Sequence, residues 1–235
     1  MGSGAENPMM DGSAYLGVSK LETLLGRGFW GEIAGKVVID FGCGAGSEAL
    51  EMADRGSRKV IGLDLQLSLL AKAREHADRS GLRDRCEFTD RTTEKADVIT
   101  AIDSFEHFAD PLAILNQMHG LLKPDGCVWA SFGPTWLHPL GGHLFSVVPW
   151  AHLIFTERSL IRWRSDFKTD GATKFEEVAG GLNRMTIRRF EKLIDKSPFK
   201  FVELKLVPIR KAAFLHSRVT REFLTATVRC KLAPK

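Results

Sequence analysis

The sequence predicts one α/β domain built on a doubly wound, largely parallel sheet. Three observations lead there. Short apolar strand segments alternate with helical segments between Val37 and Phe132. The first strand runs directly into a Gly-rich turn that opens a helix. The chain has 235 residues, 44% of them apolar, which suffices for one sizeable core and leaves little room for a second.

Residues 1–12 are polar and Gly-rich and read as a flexible leader, without the charged-then-apolar order of a signal peptide. Over 20–33, Leu21, Leu24, Leu25 and Phe29 recur at helical spacing. Val37-Val38-Ile39, closed by Asp40, is a buried parallel strand. The turn Gly42-Cys43-Gly44-Ala45-Gly46 follows, then a helix from Ser47 to Arg55. A second strand covers 59–65. A helix covers 68–80, with Ser68 expected as its N-cap. Strands three and four cover 86–89 and 97–102. The helix 111–122 is stopped by Lys123-Pro124-Asp125-Gly126, and a fifth strand covers 127–132.

The rhythm breaks at Gly133. Residues 133–183 cluster Pro, Gly, His and Trp and read as a lid or substrate-binding insertion with short helices. A helix resumes over 186–196, bounded by Thr186 and Pro198. A sixth strand covers 199–209. A seventh, over 222–232, alternates with the period of a half-buried strand. Residues 13–235 are thus read as one domain.

Composition narrows the function. Lys and Arg total 33 against 29 Asp and Glu, and the excess is spread along the chain, which argues against a nucleic-acid partner. The four cysteines form no CxxC pair, so neither a zinc site nor a disulfide framework is predicted, and each is expected to be a small buried apolar residue in a reducing, cytoplasmic setting. The most apolar run, 144–155, contains Pro149 and His152 and is too short to span a bilayer, although it could touch a membrane surface or line an apolar pocket.

The Gly turn narrows it further. A dinucleotide-binding G-x-G-x-x-G pattern needs glycine or alanine at position 47, where Ser47 stands; the spacing here is G-x-G-x-G. Asp40 places a carboxylate beside the turn, which disfavours a pyrophosphate and suits a cationic ligand.

The stretch from Val37 to Gly46 resembles the first motif of class I S-adenosylmethionine-dependent methyltransferases. Gly62-Leu63-Asp64-Leu65 resembles the second motif, Phe88-Thr89-Asp90 the end of the third strand, 97–107 the fourth strand and its loop, and 121–126 the turn before the fifth strand. The likeness covers roughly residues 33–132. It implies a Rossmann-like sheet of order 3-2-1-4-5-7-6 with strand 7 antiparallel, and S-adenosylmethionine as cofactor. On that likeness Asp40, Gly42, Gly44 and Gly46 form the cofactor turn, Asp64 takes the ribose hydroxyls with Leu65 beside it in the cofactor site, and Asp90 meets the adenine amino group. Asp103 lies where the methionine end would pass, and it equally suits a cap for the next turn. The stretch between Asp90 and Asp97 is shorter than the adenine-covering loop often found in the family.

Methyl transfer to a hydroxyl needs a base. His138 and His143, flanked by Pro139, Gly141 and Gly142, are the expected general-base candidates, and equally they suit lid residues that bond the backbone. Glu106-His107 suits an acid/base pair, but it recurs in the resembled family at a loop-to-helix join, and the structural reading is favoured. Trp136, Trp150 and Trp163 suit an apolar or aromatic acceptor pocket or the insertion's own core. The expected function is methyl transfer to a small molecule, with oxygen favoured. The alternatives are nitrogen or carbon acceptors, a protein substrate, or a non-catalytic cofactor-binding interaction protein. No metal site is predicted.

Overall fold

The computed structural model describes residues 18–142, 148–166, 171, 173–177 and 181–235. Seven strands form one sheet in the order β3-β2-β1-β4-β5-β7-β6. Strands β1 (Val37–Phe41), β2 (Lys59–Leu63), β3 (Cys86–Thr89), β4 (Ala96–Ile102) and β5 (Leu122–Phe132) are parallel. Strand β7 (Thr225–Pro234) is antiparallel to both β5 and β6 (Phe199–Pro208). Helices α1 (Lys20–Leu25), α2 (Gly28–Ile33), α3 (Ser47–Asp54), α4 (Leu67–Arg79), α5 (Pro111–Leu121) and α8 (Ile187–Lys196) accompany the sheet. The short helices α6 (Ala151–Ile154) and α7 (Glu157–Ser165) belong to the insertion after β5, and α9 (Arg221–Leu224) precedes β7.

Both faces of the sheet are covered, so β1 is buried along its whole length and reads as an unbroken apolar run closed by Asp40. One core layer joins Ile39, Ile61, Ile99, Phe105, Phe132 and Phe190; the other joins Leu21, Phe29, Val38, Met52, Val60 and Leu70. The insertion has its own small core of Ala151, Leu160, Phe175 and Leu182, with Trp136 packed against it.

Several local expectations change. The helix expected over 20–33 is two helices, because Gly26 turns to φ 86° and ends α1. Ser68 is not an N-cap: α4 begins at Leu67 with Gln66 as the capping position, and Asp64 Oδ1 accepts the Gln66 N–H at 2.8 Å. Strand β5 begins at Leu122 rather than Cys127, with a register shift opposite Ala96 and Val98. Strand β7 begins at Thr225 because 221–224 coil into α9, which turns Glu222 inward. Its carboxylate accepts the N–H groups of Ile187 (3.1 Å) and Arg188 (2.8 Å), two donors that the first turn of α8 leaves without helical partners. Cys127 is half-buried, unlike the other three cysteines.

Candidate functional site

In a parallel sheet the loops at the carboxyl ends of the strands lie together, and the strand order here reverses between β1 and β4, which opens a crevice. The turn after β1 enters it. Gly42 and Gly46 adopt φ of 81° and 84°, where an L side chain is strained. A Cβ on Gly46 would stand 2.8 Å from the Phe88 ring and 2.9 Å from the Ala73 Cβ; one on Gly42 would meet Ser104 Oγ at 2.7 Å. The turn is therefore pressed against its surroundings and holds one shape.

Asp64, just beyond β2, is tied to that turn. Its Oδ2 accepts the Gly44 N–H at 2.9 Å while Oδ1 holds the start of α4. A carboxylate has about four lone-pair sites, so both oxygens retain capacity for two hydroxyl donors. Beneath the turn Asp40 is almost fully buried. Its Oδ1 accepts from Thr100 Oγ1 at 2.8 Å, while its Oδ2 has no partner among the described residues. Burial, reinforced by the charge of Glu48, pushes the Asp40 carboxyl up to about 7.

The end of β4 adds Asp103, a non-glycine residue at φ 49° whose N–H bonds Ser131 O at 2.7 Å. Backbone held in that region is an unfavourable conformation maintained by its surroundings. The Asp103 carboxylate meets Lys20 Nζ at 2.9 Å, and the same ammonium meets Glu48 Oε1 at 2.8 Å. Burial pulls the Lys20 pKa down, but Asp103 and Glu48 together overcome it and hold the group firmly protonated. One ammonium between two carboxylates makes a bed for a ligand end that carries both charges.

A cleft of about 420 Å³ runs past these groups. Phe41, Leu63, Leu65, Phe108 and Ile114 form its apolar walls, and Asp64, Gln66, Asp90, Asp103, Ser104, His107 and Gln117 line it with polar groups. Of the predicted site residues, Gly42, Asp64, Leu65, Asp90 and Asp103 line this one cleft; Gly44 bonds Asp64, and Asp40 lies buried at the end of β1 beneath the turn.

A family profile described as a methyltransferase domain matches residues 19–204, most of this fold and all of the cleft. The chain belongs to the class I S-adenosylmethionine-dependent methyltransferases. The methyltransferase is 41% identical over 107 residues to a ubiquinone biosynthesis O-methyltransferase of Actinobacillus pleuropneumoniae serotype 7, a match that covers 41% of this chain and 45% of that protein. It therefore spans less than half the length of the curated relatives it matches. Its fold is shared with an S-adenosylmethionine-dependent methyltransferase from Mesorhizobium loti (TM-score 0.56, 17% identity, covering 86% of this chain and 92% of that one). The fold is shared equally with the [4+2]-cyclase SpnF (TM-score 0.57, 14% identity, covering 86% and 76%).

Neither of the two histidines expected as general-base candidates is among the described residues that line this cleft. His143 lies outside the described residues. His138 is buried within the insertion, does not line the cleft, and accepts the Leu140 N–H at 2.9 Å through Nδ1. Burial, with His152 nearby, pulls its pKa down to about 4, so it is neutral and a weak base. His152 bonds Trp136 O and packs edge-on against the Trp136 ring. Trp136 thus serves the insertion's own core. His107, read from sequence as structural, stands on the cleft wall with Nδ1 3.0 Å from Gly181 O. With the proton on Nδ1, Nε2 carries the lone pair. Its neighbour Glu106 is buried behind the wall, accepts the Gly133 N–H at 3.2 Å, and is raised by burial and by Asp103 to about 8. The signal for His107 was present in the sequence as a polar pair after β4, but its orientation depends on Gly181, far along the chain.

Proposed function

We propose that this protein transfers the methyl group of S-adenosylmethionine to an oxygen of a small apolar or aromatic acceptor by direct displacement. One observation carries the reading: a single cleft is lined by the carboxylates of Asp64, Asp90 and Asp103 and by His107. The residues fit the cofactor. Asp64 retains acceptor capacity for the ribose hydroxyls. Asp90 suits the adenine amino group. The unpartnered buried Oδ2 of Asp40, with Asp103 and Glu48, makes the floor favourable to an ammonium, and Lys20 suits the carboxylate beside it.

When bound, the cofactor supplies an electrophilic methyl carbon on a sulfonium, so little covalent chemistry is left to the protein. The chain's residues hold the nucleoside, exclude water and align the acceptor. Phe41, Phe108 and Ile114 provide apolar contact, and His107 Nε2 takes the hydroxyl proton. The insertion, 133–183, covers the acceptor. The oxygen preference is supported by the ubiquinone biosynthesis O-methyltransferase relatives and by the histidine on the wall.

Calorimetry with S-adenosylhomocysteine and mass-spectrometric screening of phenolic acceptors test the proposal. Binding in the micromolar range with a mass gain of one methyl group on a phenol is the expected result. Absence of binding to the folded protein sinks the cofactor reading. Binding without transfer to any acceptor favours the interaction-protein alternative, on a fold that also serves a cyclase.

A further inference from the structure

Two segments outside the cleft carry large apolar side chains that the core does not use. The first is the 209–224 crossing between β6 and β7, where Phe214 and Val219 are 84% and 85% exposed and Leu215 and Phe223 are exposed as well. The second is the α6–α7 part of the insertion, where Leu153, Ile154 and Phe155 are exposed, Ile154 at 70%. Such residues are normally buried, and several together mark a surface meant for contact.

Topology puts both segments on one edge. Strand β6 runs parallel to β5, since each is antiparallel to β7. The crossing leaves the carboxyl end of β6, as the insertion leaves the carboxyl end of β5. Gly133, where the insertion starts, lies against Ala226 and Thr227 at the start of β7. This is also the edge that holds the cleft.

Charge selects the partner. Within 209–224 the only acidic residue is Glu222, which is turned inward to cap α8. Arg210, Lys211 and Arg218 are exposed, and no ion pair engages them among the described residues. In α7, Arg158 and Arg162 are exposed one turn apart, while the acidic Glu157 is held by Arg184. Apolar tips interleaved with exposed cations, on short helices and turns, suit an irregular apolar-and-anionic surface better than a shaped protein partner.

We propose that this edge docks the protein on an anionic lipid bilayer, with Phe214, Val219 and Ile154 entering the headgroup region and Arg210, Lys211 and Arg218 pairing lipid phosphates. The docking is peripheral: no helix among the described residues is long and apolar enough to cross a membrane. It requires neither cofactor nor methyl transfer.

Co-sedimentation of the chain with vesicles tests it, comparing phosphatidylcholine alone with an equal mixture of phosphatidylcholine and phosphatidylglycerol. Pelleting with the mixed vesicles, lost at high salt, is expected. Each cation near an anionic surface strengthens partition about fivefold, so the double change Arg210→Gln and Lys211→Gln should weaken binding about 25-fold. Phe214→Glu and Ile154→Glu should release the protein while leaving its circular dichroism and its affinity for S-adenosylhomocysteine unchanged. Three results overturn the proposal: no excess pelleting with the anionic vesicles, pelleting that survives Phe214→Glu together with Ile154→Glu, or a concentration-dependent dimer in analytical ultracentrifugation that Phe214→Glu abolishes.

Discussion

The ammonium of Lys20 stands 2.9 Å from Asp103 Oδ2 and 2.8 Å from Glu48 Oε1, so the first helix is pinned across the carboxyl ends of the strands by charge. In the proposed binding mode, this cation and its two carboxylates meet the amino-acid end of the cofactor. A charge-assisted hydrogen bond contributes about 1.5–3 kcal/mol when its partner is well placed. Lys20→Met should weaken S-adenosylhomocysteine binding about tenfold or more in calorimetry, with the melting temperature lowered only slightly. An unchanged Kd would show that Lys20 merely ties α1 to the sheet.

Asp64 connects the Gly turn, the start of α4 and the cleft through one carboxylate. Asp64→Ala removes the proposed ribose acceptor and leaves the Gly44 N–H without its partner. Affinity for the cofactor should fall by about a hundredfold, on the scale of one or two charged hydrogen bonds. Asp64→Asn, which keeps one oxygen, should fall between the two. Titration calorimetry of the three proteins orders them.

The shape of the turn can be tested by stability alone. Gly46→Ala puts a side chain at φ 84° and against Phe88 and Ala73. Left-handed strain of about 1–2 kcal/mol adds to overpacking of about 1–3 kcal/mol, for a loss of about 3 kcal/mol. Gly28→Ala is the control, because nothing lies within 4 Å of its Cβ position and the residue begins α2; its effect should stay below about 1 kcal/mol. Urea midpoints at fixed m compare them.

Two buried carboxyls make stability depend on pH. Burial first, then a neighbouring carboxylate, raises Glu106 from 4.5 to about 8 and Asp40 from 3.8 to about 7. Between the unfolded and folded values the native state binds more protons than the unfolded chain. The stabilisation is therefore complete below about pH 4 for these groups and is lost as pH rises toward 8, by at most about 1.4 kcal/mol per unit for each group. Urea midpoints should fall from pH 5 to pH 8, and Glu106→Gln should flatten the upper part of that slope. The cofactor responds in the opposite sense. A cationic ligand beside Asp40 favours its ionised form, so S-adenosylmethionine should bind tighter at pH 8 than at pH 6, and Asp40→Asn should erase that difference.

His107 and His138 separate by position. His107→Ala should cut turnover on a phenolic acceptor by about 10²–10⁴-fold while leaving the cofactor Kd unchanged, because a general base contributes on that scale. His138→Gln should leave turnover within a few-fold and lower the melting temperature, since His138 is buried and bonds the backbone. Single-turnover assays at saturating cofactor distinguish the two.

What the sequence determined by itself is local. The alternation of β1, β2 and their helices, the Gly42–Gly46 turn and the acidic residue after β2 follow from spacing over a few tens of residues, because backbone reach and side-chain periodicity are set at that range. The sheet order followed from the family likeness, and the antiparallel β7 agreed with its alternating pattern. Tertiary structure alone decided the rest. Gly26 looked compatible with one helix until α1 and α2 had to pack Leu21 and Phe29 into the same core layer. Glu222 fitted a strand's alternation until the start of α8 needed an acceptor. Lys20 meets Asp103, and His107 meets Gly181, across loops that no periodicity records. Side chains distant in sequence share a site only after the sheet has fixed where each strand ends, and charge and hydrogen bonding then choose partners among whatever that edge brings within reach.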